Sequence, residues 1–136
     1  MNNTRFATAI HILTLLAVNT EQWLSSEFIA SSIQVNPAIV RKELMSLQKS
    51  GLVLGKKGKA GGSLLSRSAH TISMADVYNS IRGAHVLGRV HQEPSSKCPI
   101  GKDINDRLTA LYDDAERALV GQLSEVSLAD FAKRFD

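Results

Sequence analysis

The stretch Asn36–Arg67 constrains the fold more than any other part of the chain. It reads N-P-A-I-V-R-K-E-L-M-S-L-Q-K-S-G-L-V-L-G-K-K-G-K-A-G-G-S-L-L-S-R. Asn36 is a good helix N-cap, and Pro37 suits the first helical position, where its missing N–H has no intrahelical partner to lose. Val40, Leu44 and Leu47 then recur at helical spacing, Ile39 and Met45 widen the stripe, and Gly51 stops it. The short apolar runs Leu52–Leu54 and Ser63–Arg67 flank G-K-K-G-K-A-G-G, whose four glycines permit positive φ and close backbone approach. The spacing predicts a helix over 37–49 followed by a β-hairpin with a basic tip.

The preceding residues supply the rest of a helix-turn-helix. Phe6, Ile10, Leu13 and Ala17, broadened by Ala9, Ile12 and Leu16, predict a helix over 4–18 with a face wide enough to be covered on several sides. His11 falls among these apolar neighbours and reads as a structural histidine. Ser25 or Ser26 caps a short helix carrying Phe28, Ile29 and Ile33, which runs through a tight turn into Asn36. A short helix, a turn, a second helix and a hairpin follow in winged helix-turn-helix order.

Downstream, Ser68–Thr71 reads as a linker, and Ser73 caps a helix through Ile81. Residues 83–97 read as irregular. From Gly101 or Lys102 to Leu123 a long helix is expected. Ile104, Leu108, Leu111, Ala115 and Ala118 follow alternating four- and three-residue steps on it, flanked by Leu119. A helix of this length has more apolar face than a small winged domain covers, so these six residues are the expected homodimer contacts. Ser127 caps a last short helix whose Leu128, Phe131 and Phe135 would cover a partner or the base of the long helix. The expected fold is mainly α with a small β-hairpin. Residues 1–82 form a winged helix-turn-helix domain, 83–100 a linker and sensor loop, and 101–136 the dimerisation and C-terminal helices.

Charge is unevenly placed. Residues 1–67 carry eight Lys/Arg and three Asp/Glu, whereas 68–136 carry eight and ten. A basic half and a mildly acidic half suit a polyanion on one side. Arg41 presents a forked donor pair suited to guanine, while Lys42 and Lys49 suit phosphates. Lys56, Lys57 and Lys59 place charge at the tip of a small-residue hairpin able to lie along a minor groove. Double-stranded DNA is therefore the expected partner, with Asn36 at the start of the reading helix. Aromatics are 5% of the chain, which disfavours stacking recognition of single strands.

No nucleophile–base–acid arrangement, phosphate loop or metal motif occurs, so no enzymatic activity is expected. No cofactor and no membrane association are expected either. The single cysteine, Cys98, excludes an intrachain disulfide. No secretory leader is read at the start, and a cytoplasmic location is expected. Cys98 stands at the start of the long helix between Lys97 and Lys102, a setting that favours thiolate and hence redox sensing. A contrasting expectation is a protein-interaction module that binds a metabolic enzyme through the long helix or the region around Cys98.

The residues R-F-A-T-A-I-H-I-L at 5–13, N-P-A-I-V-R-K at 36–42, G-L-V at 51–53 and G-K-A-G-G at 58–62, in this order of elements, resemble the Rrf2 family of bacterial transcription regulators. The resemblance implies a dimeric winged helix on a palindromic operator, and a repressor is the expected form of regulator. It places DNA contacts at Ala38, Arg41 and Lys42 and on the wing at Lys59, Ala60 and Gly61. Ser63 departs from the pattern, since family wings commonly carry an aromatic after the paired glycines. Cluster-binding members carry three cysteines before the dimer helix, and this chain has Cys98 alone. That excludes a cluster held by three cysteines and leaves a mixed set of Cys98 with His85, His91 or Glu93 as the alternative.

Overall fold

The computed structural model describes residues 3–83 and 86–135. Six helices and one hairpin follow in the order α1 (Arg5–Val18), α2 (Ser26–Ile33), α3 (Pro37–Lys49), β1 (Val53–Lys56), β2 (Gly62–Leu65), α4 (Met74–Ile81), α5 (Pro99–Leu123) and α6 (Leu128–Ala132). Short 3-10 turns cover Ala69–Thr71 and Lys133–Phe135. The winged helix-turn-helix fold read from the sequence is the fold observed.

The wide apolar face of α1 places that helix at the centre. Thr8, Ala9, Ile10, Ile12, Leu13 and Leu16 are buried, and α2, α3, α4, α6 and β2 all pack on it. Val40, Leu44 and Leu47 of α3, Leu52 and Val53 at the hairpin, and Val77 of α4 complete one continuous core. Each fully buried Leu or Ile contributes roughly 1.5–3 kcal/mol by leaving water.

Local chemistry sets the helix starts. Ser25 accepts from the Phe28 amide, Asn36 from Ala38, Ser73 from Asp76 and Ser127 from Asp130, and the last two are closed capping boxes. The end of α3 is a Schellman motif: Gly51, at φ 78°, donates to the Gln48 carbonyl, and Leu52 donates to Leu47. That cap uses the N–H of Leu52, so β1 begins at Val53 rather than at Leu52 as the apolar run suggested. The hairpin register pairs Val53 with Leu65 and Lys56 with Gly62, which leaves 57–61 as the loop. A bridge between Leu24 and Ser63 extends the hairpin onto the segment before α2.

One further boundary and one packing partner differ from expectation. The long helix starts at Pro99 instead of Gly101 or Lys102, because Cys98 is the N-cap and Pro99 takes the first position. The last helix packs mainly on α1 rather than on the base of α5. Its Leu128 is fully buried, with its amide donating to the Ile72 carbonyl at 2.7 Å.

α5 is the exception to this close packing. None of its 25 residues is buried. Leu111 is 58% exposed and Ile100 72%, and Ala118 is also exposed, while Ile104, Leu108, Ala115 and Leu119 are half-buried. Within the chain α5 rests mainly on α4. There the Tyr78 hydroxyl donates to Glu116, and Arg82 pairs with the same carboxylate at 3.4 Å. Burial, and then the hydrogen bond to Glu116, push the Tyr78 pKa up to about 12.

Candidate nucleic-acid interface

The helix and hairpin of the Asn36–Arg67 stretch border one groove together with the start of α2. It measures about 630 Å³ and runs between the start of α2, the exposed face of α3 and the hairpin. Arg41 and Met45 line it from α3, and Lys56, Lys57, Lys59 and Gly61 line it from the hairpin. Ser25, Ser26 and Glu27 close the third side. Asn36, Ala38, Lys42, Lys49 and Ala60 lie outside this lining and are exposed. Arg41 and all the wing lysines are exposed too, as groups that meet a large polyanion must be.

Caps, core packing and one cation–π contact position the helix and the wing that carry the basic groups. The Asn36 side chain accepts from the Ala38 amide at 2.9 Å, fixing the start of α3 two turns or less from Arg41. Val40, Leu44 and Leu47 bury the opposite face, so Arg41 and Lys42 point to solvent. Lys56 has its ammonium 5.5 Å from the centre of the Trp23 ring, a cation–π contact that tethers the wing to the segment before α2. At Gly61 an added Cβ would fall 2.1 Å from the Lys56 carbonyl oxygen, so only glycine permits this turn.

One feature of the site escaped the sequence reading. Glu43 lies on the buried stripe of α3 with its side chain 4% exposed, and Arg5 of α1 forks onto it. The Nε of Arg5 donates to the two carboxylate oxygens at 3.2 and 3.0 Å, its Nη2 donates at 3.0 Å, and its Nη1 donates to the Ile81 carbonyl at 3.0 Å. Removing Arg5 alone would strand a buried carboxylate, at a cost of about 3–5 kcal/mol. A charged residue at a stripe position is the signal that could have revealed this pair.

Cys98 is exposed at the start of α5. The amides of Gly101 and Ile100 hold its pKa below the ordinary thiol value, although its sulfur closes no capping hydrogen bond. His91 and Glu93 are exposed, and His85 lies outside the described residues. Among the described residues no three His, Cys, Asp or Glu side chains gather where they could hold a metal. Among them, too, no helix is long and apolar enough to cross a membrane.

Comparison with known proteins supports one family. Residues 2–134 match the Rrf2 family model, described as an iron-dependent transcriptional regulator. One thiol without gathered partners is not a donor set for iron, so that part of the description does not fit the described residues. The chain is 37% identical over 130 residues to YwnA of Bacillus subtilis (strain 168), covering 96% of each, a protein whose name alone assigns it to the HTH-type transcriptional regulators. The crystal structure of a Lactobacillus plantarum chain, named a transcriptional regulator on the same footing, superposes with a TM-score of 0.83. It is 27% identical, with 97% of this chain and 89% of that one covered. The B. subtilis global cysteine regulator CymR shares the fold at a TM-score of 0.69 and 20% identity, over 100% of this chain and 98% of its own. These relatives are regulators of transcription and not enzymes, and the chain belongs to the Rrf2 family of transcriptional regulators.

Proposed function

We propose that the protein is a homodimeric repressor that binds a palindromic operator in the cytoplasm. The observation that carries this reading is the groove in which Arg41 and three wing lysines converge from two elements. α3 enters a major groove with Arg41 at base edges and Ala38 and Lys42 beside it. Asn36 and Lys49 meet the flanking backbone, and Lys56, Lys57, Lys59, Ala60 and Gly61 follow the adjacent minor groove. The second copy docks through α5, a helix that its own chain leaves without a single buried residue. Residues 1–82 with α6 then act as the reading head and 101–123 as the dimer element. A protein seated in both grooves excludes others from the same duplex, which makes repression the direct outcome.

Selection of bound duplexes from a random pool tests this reading and should return an inverted repeat. Replacing Arg41 by Ala should weaken binding to that repeat by about 1–3 kcal/mol and relax base choice at one position per half-site. Unchanged affinity on titration by fluorescence anisotropy would remove Arg41 from the interface.

A thiol switch is the second part of the proposal, supported by the exposure and lowered pKa of Cys98. Peroxide converts a thiolate to sulfenic acid with loss of the second peroxide oxygen as water. The sulfenic acid then condenses with a second thiol to a disulfide, releasing another water. At the start of the dimer helix either product alters how two copies meet. Peroxide should change operator affinity for the native protein and leave Cys98→Ser unaffected. Equal responses in both would exclude the switch.

A further inference from the structure

Arg5 joins three helices through one guanidinium. Its Nε and Nη2 grip Glu43 in the middle of α3, and its Nη1 holds the carbonyl of Ile81, the last residue of α4. The end of α4 is also held by α5. Arg82, the next residue, turns to extended backbone and reaches Glu116, to which Tyr78 one turn earlier also donates. A polar chain therefore runs from the recognition helix to the long helix: Glu43, Arg5, the Ile81 carbonyl, Arg82 and Tyr78, then Glu116. Its covalent link is the last turn of α4, from Tyr78 through Ile81 to the C-cap Arg82.

The pairing matters for direction rather than for adhesion. Val40, Leu44 and Leu47 hold α3 against the core, but apolar contact is non-directional and resists a small rotation about the helix axis poorly. A forked guanidinium–carboxylate pair is planar and bidentate, so it fixes orientation as well as distance. Glu43 stands two residues beyond Arg41, and any roll of α3 swings Arg41 with it.

We propose that Arg5 is a positioning residue for DNA recognition, setting the angle of α3 relative to α5 and so the separation of the two recognition helices in the dimer. This rests on the dimeric DNA-binding reading above. A residue with this task governs which half-site spacing is accepted, and a merely stabilising residue does not.

The test uses the full chain and duplexes built on the selected operator: the native spacing, versions one and two base pairs longer or shorter, and a single half-site. The variant is the double exchange Arg5→Met with Glu43→Met, which removes both charges together and so leaves no stranded carboxylate. Native protein should lose about tenfold or more in affinity when the spacing changes, because half-site separation is set by dimer geometry. The double variant should lose less than about threefold across the series, and its half-site affinity should stay within about twofold of native, since the reading side chains are intact. Arg5→Lys keeps the charge without the fork and should show the same flattened preference, which covers the case in which the double exchange does not fold. A variant with a lower melting temperature but native spacing preference overturns the proposal. Native protein that binds no inverted repeat, or binds all spacings alike, overturns the dimeric reading and this inference with it.

Discussion

Leu111→Asp is expected to turn the proposed dimer into a 14.8 kDa monomer and to weaken operator binding by about 10²-fold or more. The residue is 58% exposed in the isolated protomer, so the exchange leaves the winged domain folded. In the dimer the new carboxylate would lie unpaired on the apolar stripe of α5, and an uncompensated buried charge costs several kcal/mol. The loss in affinity has a separate origin. Two half-sites joined through one dimer bind as a single event, and the second contact forms at an effective concentration set by the linkage. A monomer keeps its reading side chains and loses that gain. Sedimentation or light scattering measures the mass, and anisotropy on whole and half operators measures the affinity. A protein that stays dimeric at micromolar concentration and binds as tightly as native would place the interface elsewhere.

The expectation for α5 shows what could be read in the amino acids and what could not. Its length and stripe were legible because the apolar positions recur at helical steps over many turns. Its first residue was not, although Pro99 carries the signal that placed Pro37 correctly. Cys98 is an unusual N-cap, and the Gly101 that follows drew the boundary inward. The caps Asn36, Ser73 and Ser127 were legible, since each is a small polar residue directly before an apolar period, while Ser25 and Ser26 were equal candidates until the structure chose Ser25.

Long-range contacts were the unread part. Nothing near Lys56 in sequence announces Trp23, and the cation–π contact exists because the Leu24–Ser63 bridge brings the hairpin back beside α2. The seat of α6 on α1 likewise depends on Leu128 closing a backbone bond to Ile72, 56 residues earlier. Glu43 is the intermediate case. Val40, Glu43, Leu44 and Leu47 form one stripe, so a charge among them demanded a cation. Arg5 is the only cation in the helix that covers that stripe. The grouping of Arg41 with the wing lysines was readable for a simpler reason: fourteen residues of helix end and hairpin leave little freedom in how the two elements face each other.

The wing offers a way to separate charge from shape. Replacing Lys56, Lys57 and Lys59 together by Ala should lower the slope of log affinity against log salt by about 2–3, since each neutralised phosphate accounts for roughly 0.9. At physiological ionic strength the affinity should fall by about 10²-fold. The slope change should stay nearer the lower figure if Lys56 spends part of its charge on the Trp23 ring. Gly61→Ala tests shape alone. Its Cβ would meet the Lys56 carbonyl oxygen at 2.1 Å and the carbonyl carbons of Lys56 and Lys57 at 2.9 Å, all backbone atoms that cannot swing aside. The turn must rebuild and carry the lysines away from the groove, so affinity falls while net charge is unchanged. Gly58→Ala is the matched control. Its φ of 103° strains an alanine by about 1–2 kcal/mol, but no atom lies within 4 Å of the new Cβ. It should bind DNA far better than Gly61→Ala in the same anisotropy titration. If the two alanine variants bind alike and the triple lysine variant keeps the native salt slope, the wing does not touch DNA, and α3 alone must carry recognition.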